Sequence, residues 1–125
     1  MLDMVIDTST LIAFTHLGLL EALCDIYEQI FIPKGVLEEF GEISLECAEI
    51  LEVEDKPLIN LLRKNLNLGK GEAEVIALSY TKKYRCAIDA QKARKVAKDF
   101  GLAVTGTIGI LARMKDKNII TSVHE

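Results

Sequence analysis

Short apolar runs alternate with longer amphipathic stretches along the chain, and this alternation predicts strands separated by helices. The apolar runs have the length and composition of buried parallel strands. They cover residues 4–7, 29–32, 86–89 and 102–105. Apolar residues three and four positions apart, the helical spacing, fill most of the remaining chain. The predicted helices cover residues 10–14, 17–24, 34–40, 57–66, 71–84, 91–100 and 106–115.

Strands that alternate with helices are typical of the α/β class, in which crossover helices cover a parallel sheet. The segment 42–56 leaves one element open, because residues 48–53 fit either a short strand or the end of a helix. The chain has 125 residues and no linker, repeat or low-complexity tract, so we expect a single domain over residues 1–125.

Two of the predicted strands end in an acid. Met4-Val5-Ile6 leads into Asp7, and Cys86-Ala87-Ile88 leads into Asp89. The carboxyl ends of parallel strands meet at one edge of a sheet, where ligands bind in open α/β folds. Each acid also has a simpler explanation, since Asp is a favoured N-cap for a following helix.

A further acid lies on the predicted helix over residues 34–40. Glu39 lies beside Val36 and Phe40, at the border of the apolar stripe. Glu38 points about 100° away from it, as helix geometry requires, and should be exposed. The alternative is that Glu39 is an ordinary surface residue at the margin of the stripe.

The predicted helix over residues 71–84 carries two acids near its start. Glu72 shares a face with Val75 and Ile76, which favours an inward position. Glu74 lies further round the helix. Glu72 could also act simply by stabilising the positive end of the helix dipole. The buried stripe of this helix is predicted to comprise Ala73, Ile76, Ala77 and Tyr80.

Acids that converge on one edge without nearby bases repel one another, and a divalent cation relieves that repulsion. Oxygen ligands without His or Cys favour Mg²⁺ or Mn²⁺. Such a site suits phosphodiester hydrolysis, because the metal polarises the phosphate and lowers the pKa of a bound water. The candidate catalytic and metal-binding acids are Asp7, Glu39, Glu72 and Asp89. The supporting hydroxyl groups expected at the same edge are those of Thr8, Ser9 and Thr107.

The formal net charge of −4 does not by itself favour a nucleic-acid partner. A bound cation would offset the acids, however, and the bases fall into two clusters along the chain. Either cluster could also be a solvated helix face. The candidate RNA contacts are Lys92, Arg94, Lys95 and Arg113.

The cysteines Cys24, Cys47 and Cys86 are odd in number and lack metal-ligand spacing, so we expect reduced core thiols. No apolar run reaches the ~18 residues that span a membrane. No basic segment of a signal peptide precedes the first strand. The expected location is therefore the cytoplasm, with no membrane partner.

Several segments together have the pattern of a known family. They are Val5-Ile6-Asp7-Thr8-Ser9, Ile32-Pro33 with Val36-Leu37-Glu38-Glu39-Phe40, residues 68–78, Ala87-Ile88-Asp89 with Lys92-Ala93-Arg94, and residues 104–111. In these segments the chain resembles the PIN-domain proteins, and in particular a small prokaryotic branch long described only as a domain of unknown function. The resemblance covers about residues 5–120, and the Gly-Glu-Ala-Glu and Gly-Thr-Ile-Gly segments make it specific.

This resemblance implies a Rossmann-like three-layer sandwich around a central parallel sheet of four to five strands. It also implies a Mg²⁺ or Mn²⁺ site in which the first to fourth acids are Asp7, Glu39, Glu72 and Asp89, with Thr107 at the hydroxyl position. The implied activity is that of an endoribonuclease on single-stranded RNA, often the toxin of a toxin–antitoxin pair with an antitoxin protein as partner.

The chain departs from that family pattern at two points. Ala90 stands where this branch often has a second acid, and the chain stops soon after Ile120, where relatives continue with further helices. We therefore expect weak activity, or a homodimer whose second subunit replaces the missing cover. The alternative function is a non-catalytic PIN-fold binding module for RNA or a protein partner. A receiver-type phosphoacceptor domain is disfavoured, because Thr105-Gly106-Thr107 lacks the lysine it needs.

Overall fold

The computed structural model describes residues 3–121 and, within them, contains five strands and six α-helices. The strands are β1 (Asp3–Ile6), β2 (Gln29–Pro33), β3 (Ala48–Leu51), β4 (Arg85–Ala87) and β5 (Val104–Thr105). The helices are α1 (Thr8–His16), α2 (Lys34–Phe40), α3 (Lys56–Asn60), α4 (Lys70–Lys82), α5 (Gln91–Asp99) and α6 (Thr107–Asp116). A 3₁₀ turn covers Glu21–Asp25, and a π-helical turn over Leu61–Asn65 continues α3.

The strands form one sheet in the order β3-β2-β1-β4-β5, and every neighbouring pair is parallel. This confirms the predicted α/β class and parallel sheet. The segment 48–53, which fits either a short strand or the end of a helix by sequence, contains the strand β3. From β1 the chain builds β2 and β3 on one side, then crosses back to place β4 and β5 on the other. The strand order therefore reverses between β1 and β4, the position at which open α/β sheets bind ligands beyond their carboxyl ends.

The centre of the core is formed by β1, the middle strand of the sheet, and by α4, which packs against it. Val5 and Ile6 are fully buried, as expected for a strand covered on both faces. In α4 every residue from Ala73 to Ser79 is buried, because this helix packs on β1, β2 and β4 as well as on α2 and α3. Each large apolar side chain removed from water in this way contributes about 1.5–3 kcal/mol.

Two helical predictions are wrong in detail. Residues 17–24 were predicted to be helical, but the chain leaves α1 after His16, passes Gly18 in the left-handed region at φ +71°, and forms only the 3₁₀ turn. The helix predicted over residues 57–66 is α-helical only up to Asn60, and the next residue, Leu61, is 44% exposed. The π-helical turn begins at Leu61 and holds more residues per turn than an α-helix, so side-chain directions shift from the α-helical pattern.

The expectation of three reduced cysteines is wrong for two of them. Cys24 and Cys47 form a disulfide, with their Cα atoms 5.6 Å apart. The fold brings the 3₁₀ turn beside the start of β3, a proximity that a separation of 23 residues does not reveal. Cys86 is free and buried, as expected, and burial raises the pKa of its thiol to about 11. Among residues 3–121, every helix is too short or too polar to cross a bilayer.

Candidate active site

Asp7 lies at the carboxyl end of β1 and is 2% exposed. Its backbone N–H donates to the Ala87 carbonyl at 3.1 Å, which fixes this residue beside the end of β4. Its Oδ1 accepts a hydrogen bond from the Thr10 N–H at 3.0 Å and so caps α1. Its Oδ2 is buried and has no hydrogen-bond partner within the described residues. Capping therefore accounts for one carboxylate oxygen and leaves the other unexplained.

The environment of Asp7 disfavours a negative charge. Burial raises its pKa from 3.8 to about 6, although the Thr10 N–H and the Thr10 hydroxyl group both partly oppose the rise. The negative charges of Asp89 and Glu72 raise it further, so both carboxylates are close enough to act on Asp7. A buried carboxylate with acidic neighbours is costly to ionise unless a cation compensates for it.

An open pocket of about 320 Å³ lies beside Asp7, at the carboxyl edge of the sheet. Three acids line it together with two hydroxyl residues and two glycines. These residues are Asp7, Glu39, Glu72, Thr8, Ser9, Gly69 and Gly71. The structure therefore brings three of the four candidate acids, and two of the three candidate hydroxyl groups, to one cavity.

Glu39 reaches this pocket from the last turn of α2. It is exposed, and its Oε1 accepts a hydrogen bond from the Thr8 hydroxyl at 2.8 Å. Gly71 faces it, and a side chain at that position would collide with the Glu39 carboxylate. Glu38 points elsewhere, as the sequence predicts, and is paired with Lys70 at 2.9 Å, which lowers the pKa of Glu38. The adjacent residues Glu38 and Glu39 thus have different partners, a lysine for Glu38 and a hydroxyl group for Glu39.

The helix-face argument predicted that Glu72, rather than Glu74, is the inward acid of α4, and the structure shows the reverse. Glu72 is half-buried, and its Oε1 accepts a hydrogen bond from the Gly69 N–H at 3.2 Å. Glu74 is the buried acid, at 6% exposure, and its Oε1 accepts from the Gly35 N–H at 2.8 Å, which ties α4 to the start of α2. The prediction failed because α4 is enclosed on most sides and has no single inward face. The predicted burial of Tyr80 is also wrong, since it is 52% exposed.

Asp89 follows β4 but does not line the pocket. Its Oδ1 accepts from the Thr107 N–H at 2.7 Å, and its Oδ2 accepts from the Thr107 hydroxyl. The sequence offered Asp89 as an N-cap for the next helix, but the N-cap of α5 is Ala90, and Asp89 instead holds the start of α6. Gly106 leaves room for this contact, because a Cβ there would lie 2.7 Å from Asp89 Oδ1.

Asp7 lies near each of the other three acids, but the four do not form a preformed ligand set. Within residues 3–121, no three acidic, His or Cys side chains stand in a metal-binding arrangement. Local hydrogen bonds occupy one oxygen of Glu39 and of Glu72 and both oxygens of Asp89. None of the four forms a salt bridge with a base among the described residues.

A family model described as a PIN domain matches residues 3–125 of this chain. The chain belongs to the PIN-domain family. Its fold is similar to that in the crystal structure of PAE2754 from Pyrobaculum aerophilum, with a TM-score of 0.68 and 12% identity. That similarity covers 92% of this chain and 98% of the other. A search of curated proteins finds no matching sequence. PIN domains are generally nucleases, so this protein has a nuclease-type fold.

The basic residues of this PIN domain fall into two places. Lys92, Arg94 and Lys95 are on α5, which begins beside Asp89. Arg94 donates from Nη1 to the Ile88 carbonyl at 2.9 Å, and Lys92 Nζ lies 3.5 Å from the Asn67 carbonyl. Arg113 lies elsewhere, in a groove that it shares with residues at the amino ends of the strands. The structure places Lys92 and Arg94 near the carboxylate edge and separates Arg113 from them. Lys95 instead pairs with Asp99 of the same helix at 3.5 Å.

The glycines that shape the pocket were missed as site residues. Gly69 and Gly71 flank Lys70 in the segment that starts α4, and both line the cavity. The signal was present, since Gly69-Lys70-Gly71 at a helix start is open enough for side chains from another element to approach. Predicting that Glu39 would be the approaching side chain requires knowing that α2 packs on α4.

Proposed function

We propose that this PIN domain is a Mg²⁺- or Mn²⁺-dependent endoribonuclease that hydrolyses phosphodiester bonds of single-stranded RNA, as the toxin of a toxin–antitoxin pair. One observation carries the proposal: Asp7 Oδ2 is buried without a hydrogen-bond partner among the described residues, and the negative charges of Asp89 and Glu72 act on the same carboxylate. A structural carboxylate would be expected to have a hydrogen-bonding group or a base beside it. A cation at this position would satisfy the oxygen and offset the charge.

The residues present fit a hard divalent cation. The donor set comprises carboxylate and hydroxyl oxygens, which Mg²⁺ and Mn²⁺ prefer. Asp7 offers a free oxygen, and Glu39 and Glu72 each have one oxygen outside the hydrogen bonds described above. When bound, the metal would supply charge neutralisation, polarisation of the phosphate and activation of a water. Asp89 would contribute its charge, and Thr107 would hold it in position.

The remaining groups have roles that follow from their positions. The Thr8 and Ser9 hydroxyl groups line the pocket and would orient the scissile phosphate or the attacking water. Glu39 and Glu72 line the same pocket and would take up a proton at the oxygen that their hydrogen bonds leave free. Lys92, Arg94 and Lys95 would bind the phosphates of the flanking nucleotides, because α5 begins at the same edge.

The test is cleavage of a single-stranded RNA oligonucleotide by the full chain in Mn²⁺, with and without the substitution Asp7→Asn. Asn retains the oxygen that caps α1 but removes the charge, so the variant should fold and lose cleavage. Asp3→Asn is the matched control, since Asp3 is a half-buried acid at the other end of β1. Equal cleavage by wild type and Asp7→Asn would overturn the assignment of the site.

A non-catalytic binding module is the second candidate, and one observation favours it. The acids are already engaged with Thr8, Gly69 and Thr107, without a preformed metal cluster in residues 3–121. Calorimetric titration with Mn²⁺ separates the two functions. Heat of binding that disappears in Glu39→Gln supports the nuclease, whereas no heat together with intact RNA binding supports the module.

A further inference from the structure

A second cavity lies at the opposite end of the strands from the carboxylates. It is a groove of about 310 Å³ between α6 and the amino-terminal halves of β1 and β4. Two arginines, Arg85 and Arg113, line it together with Tyr27 and an apolar wall that includes Met4 and Val104. None of its lining residues is acidic.

Both arginines act on the same phenol. Tyr27 is buried, and burial raises its pKa, but the positive charges of Arg113 and Arg85 oppose the rise. The two guanidinium groups are therefore close enough to influence one hydroxyl group in the groove. Arg85 is exposed and Arg113 is half-buried, so water screens part of the repulsion between them, and an anion in the groove would relieve the rest.

Four buried side-chain atoms have no hydrogen-bond partner within the described residues: Asp7 Oδ2, Thr10 Oγ1, Ser79 Oγ and Arg113 Nε. Of these, Arg113 Nε is the one that belongs to a positively charged group. Neither Arg113 nor Arg85 forms a salt bridge in residues 3–121. A buried N–H of a charged group without an acceptor is costly, and an anion in the groove would supply that acceptor.

We propose that this groove binds the phosphate group of a small ligand, with Arg113 and Arg85 as its cationic partners. Guanidinium groups form paired hydrogen bonds with phosphate oxygens, and Nε–H is one of the donors used in that arrangement. A volume of about 310 Å³ is at the lower end of small-molecule pockets, roughly 300–1,000 Å³. It accommodates a phosphate with a compact organic group against Met4 and Val104.

The site is separate from the proposed nuclease centre. Met4 of β1 precedes Asp7, the residue just after this strand, by three positions, a distance on the order of 10 Å along an extended chain. The lining residues of the two cavities do not overlap. Its test can therefore be run on protein held free of divalent metal, so that failure here does not bear on the nuclease.

The experiment measures binding of inorganic phosphate, 5′-AMP and adenosine to the full chain in EDTA, by calorimetry and thermal unfolding. Phosphate and 5′-AMP should bind and raise Tm, and adenosine should do neither. Arg113→Gln should weaken binding about tenfold or more, the scale for losing a charged hydrogen-bond partner. Lys117→Gln, an exposed charge just past the end of α6, should bind as wild type does.

Arg113→Lys and Arg85→Gln keep the test decisive if Arg113→Gln fails to fold. Lys retains the positive charge but lacks the Nε–H donor and the planar paired donors of a guanidinium group, so Arg113→Lys should also weaken binding. Tighter binding of 5′-AMP than of phosphate would identify a nucleotide as the source of the phosphate, and equal binding would identify the free ion; both support the site. Binding unchanged in Arg113→Lys and Arg85→Gln, or adenosine binding as well as 5′-AMP, overturns it.

Discussion

The two ends of the β-sheet differ in the sign of their charge. At the carboxyl edge, acids surround a pocket and leave Asp7 Oδ2 without a partner. At the amino ends, two arginines line a groove and leave Arg113 Nε without a partner. Both unpaired atoms are buried, where an unsatisfied polar group is expensive. In the two proposals above, each end binds a ligand of the opposite charge, and the sheet keeps the two sites apart.

The largest expected effect is on RNA cleavage, and it distinguishes Glu39 from its neighbour Glu38. Glu39→Gln should reduce Mn²⁺-dependent RNA cleavage about a hundredfold or more, because it removes a charge that faces the pocket. Glu38→Gln is the matched control and should leave the rate unchanged, since Glu38 is paired with Lys70. The measurement is the single-turnover rate on one RNA oligonucleotide. Equal losses in both variants would contradict the assignment of Glu39.

The second effect concerns pH. The pKa of Asp7 is about 6 in the folded protein against 3.8 for the free side chain, so folding strengthens proton binding. The destabilisation from its ionisation is therefore complete above pH 6 and is relieved as pH falls toward 4. From this group the free energy of unfolding should rise by up to roughly 3 kcal/mol over that interval.

Urea unfolding of metal-free protein at pH 7 and pH 4.5 measures this change. Asp7→Asn should lose that part of the pH dependence and should be more stable than wild type at pH 7. The same slope against pH in both proteins would show that Asp7 is not the group responsible.

A smaller effect distinguishes the two acids of α4. Glu74→Ala should destabilise the fold by about 1–3 kcal/mol, because it leaves the buried Gly35 N–H without an acceptor. Glu72→Ala should cost less stability, since Glu72 is half-buried, but should weaken Mn²⁺ binding. Thermal unfolding and metal titration of both variants test whether Glu74 stabilises the fold and Glu72 binds the metal. This assignment is wrong if Glu74→Ala weakens Mn²⁺ binding while Glu72→Ala leaves it intact.

The smallest expected effect compares basic residues at the two ends. Lys92→Gln should weaken RNA binding and reduce its salt slope by about one, as for the loss of one phosphate contact. Arg113→Gln should leave RNA binding unchanged, because Arg113 lies at the other end of the sheet. Fluorescence anisotropy at several salt concentrations provides both numbers. A reduced slope for Arg113→Gln alone would reverse the assignment of the two ends.

The elements that the sequence predicted well are those with a strong local signal. Apolar runs that end in Asp7 and Asp89 indicated a parallel sheet with acids at one edge, and the parallel sheet is confirmed. Strand sterics and hydrophobic periodicity act over a few residues, so they can be recognised before the fold is known. The position of β3 could not be fixed this way, because its exposed Glu49 and Ile50 break the pattern of a buried strand.

The features that the sequence did not predict depend on distant packing. The burial of Glu74 follows from the enclosure of α4, and the Cys24–Cys47 bond follows from the position of the 3₁₀ turn against β3. Arg113 belongs to a different basic cluster of the sequence from Lys92 and Arg94, but it was predicted to contact RNA together with them. Helix α6 instead runs back along the sheet and carries Arg113 to the far end.

The Cys24–Cys47 bond has a consequence for Glu39. The bond closes a covalent ring that includes β2 and α2, so Glu39 is the one acid of the four that sits inside it. A ring of this size restricts the unfolded chain enough to stabilise the native state by about 3 kcal/mol in the chain-entropy treatment. Under oxidising conditions the disulfide therefore helps to keep the segment that carries Glu39 in its native fold. Under reducing conditions only packing and hydrogen bonds hold that segment in place.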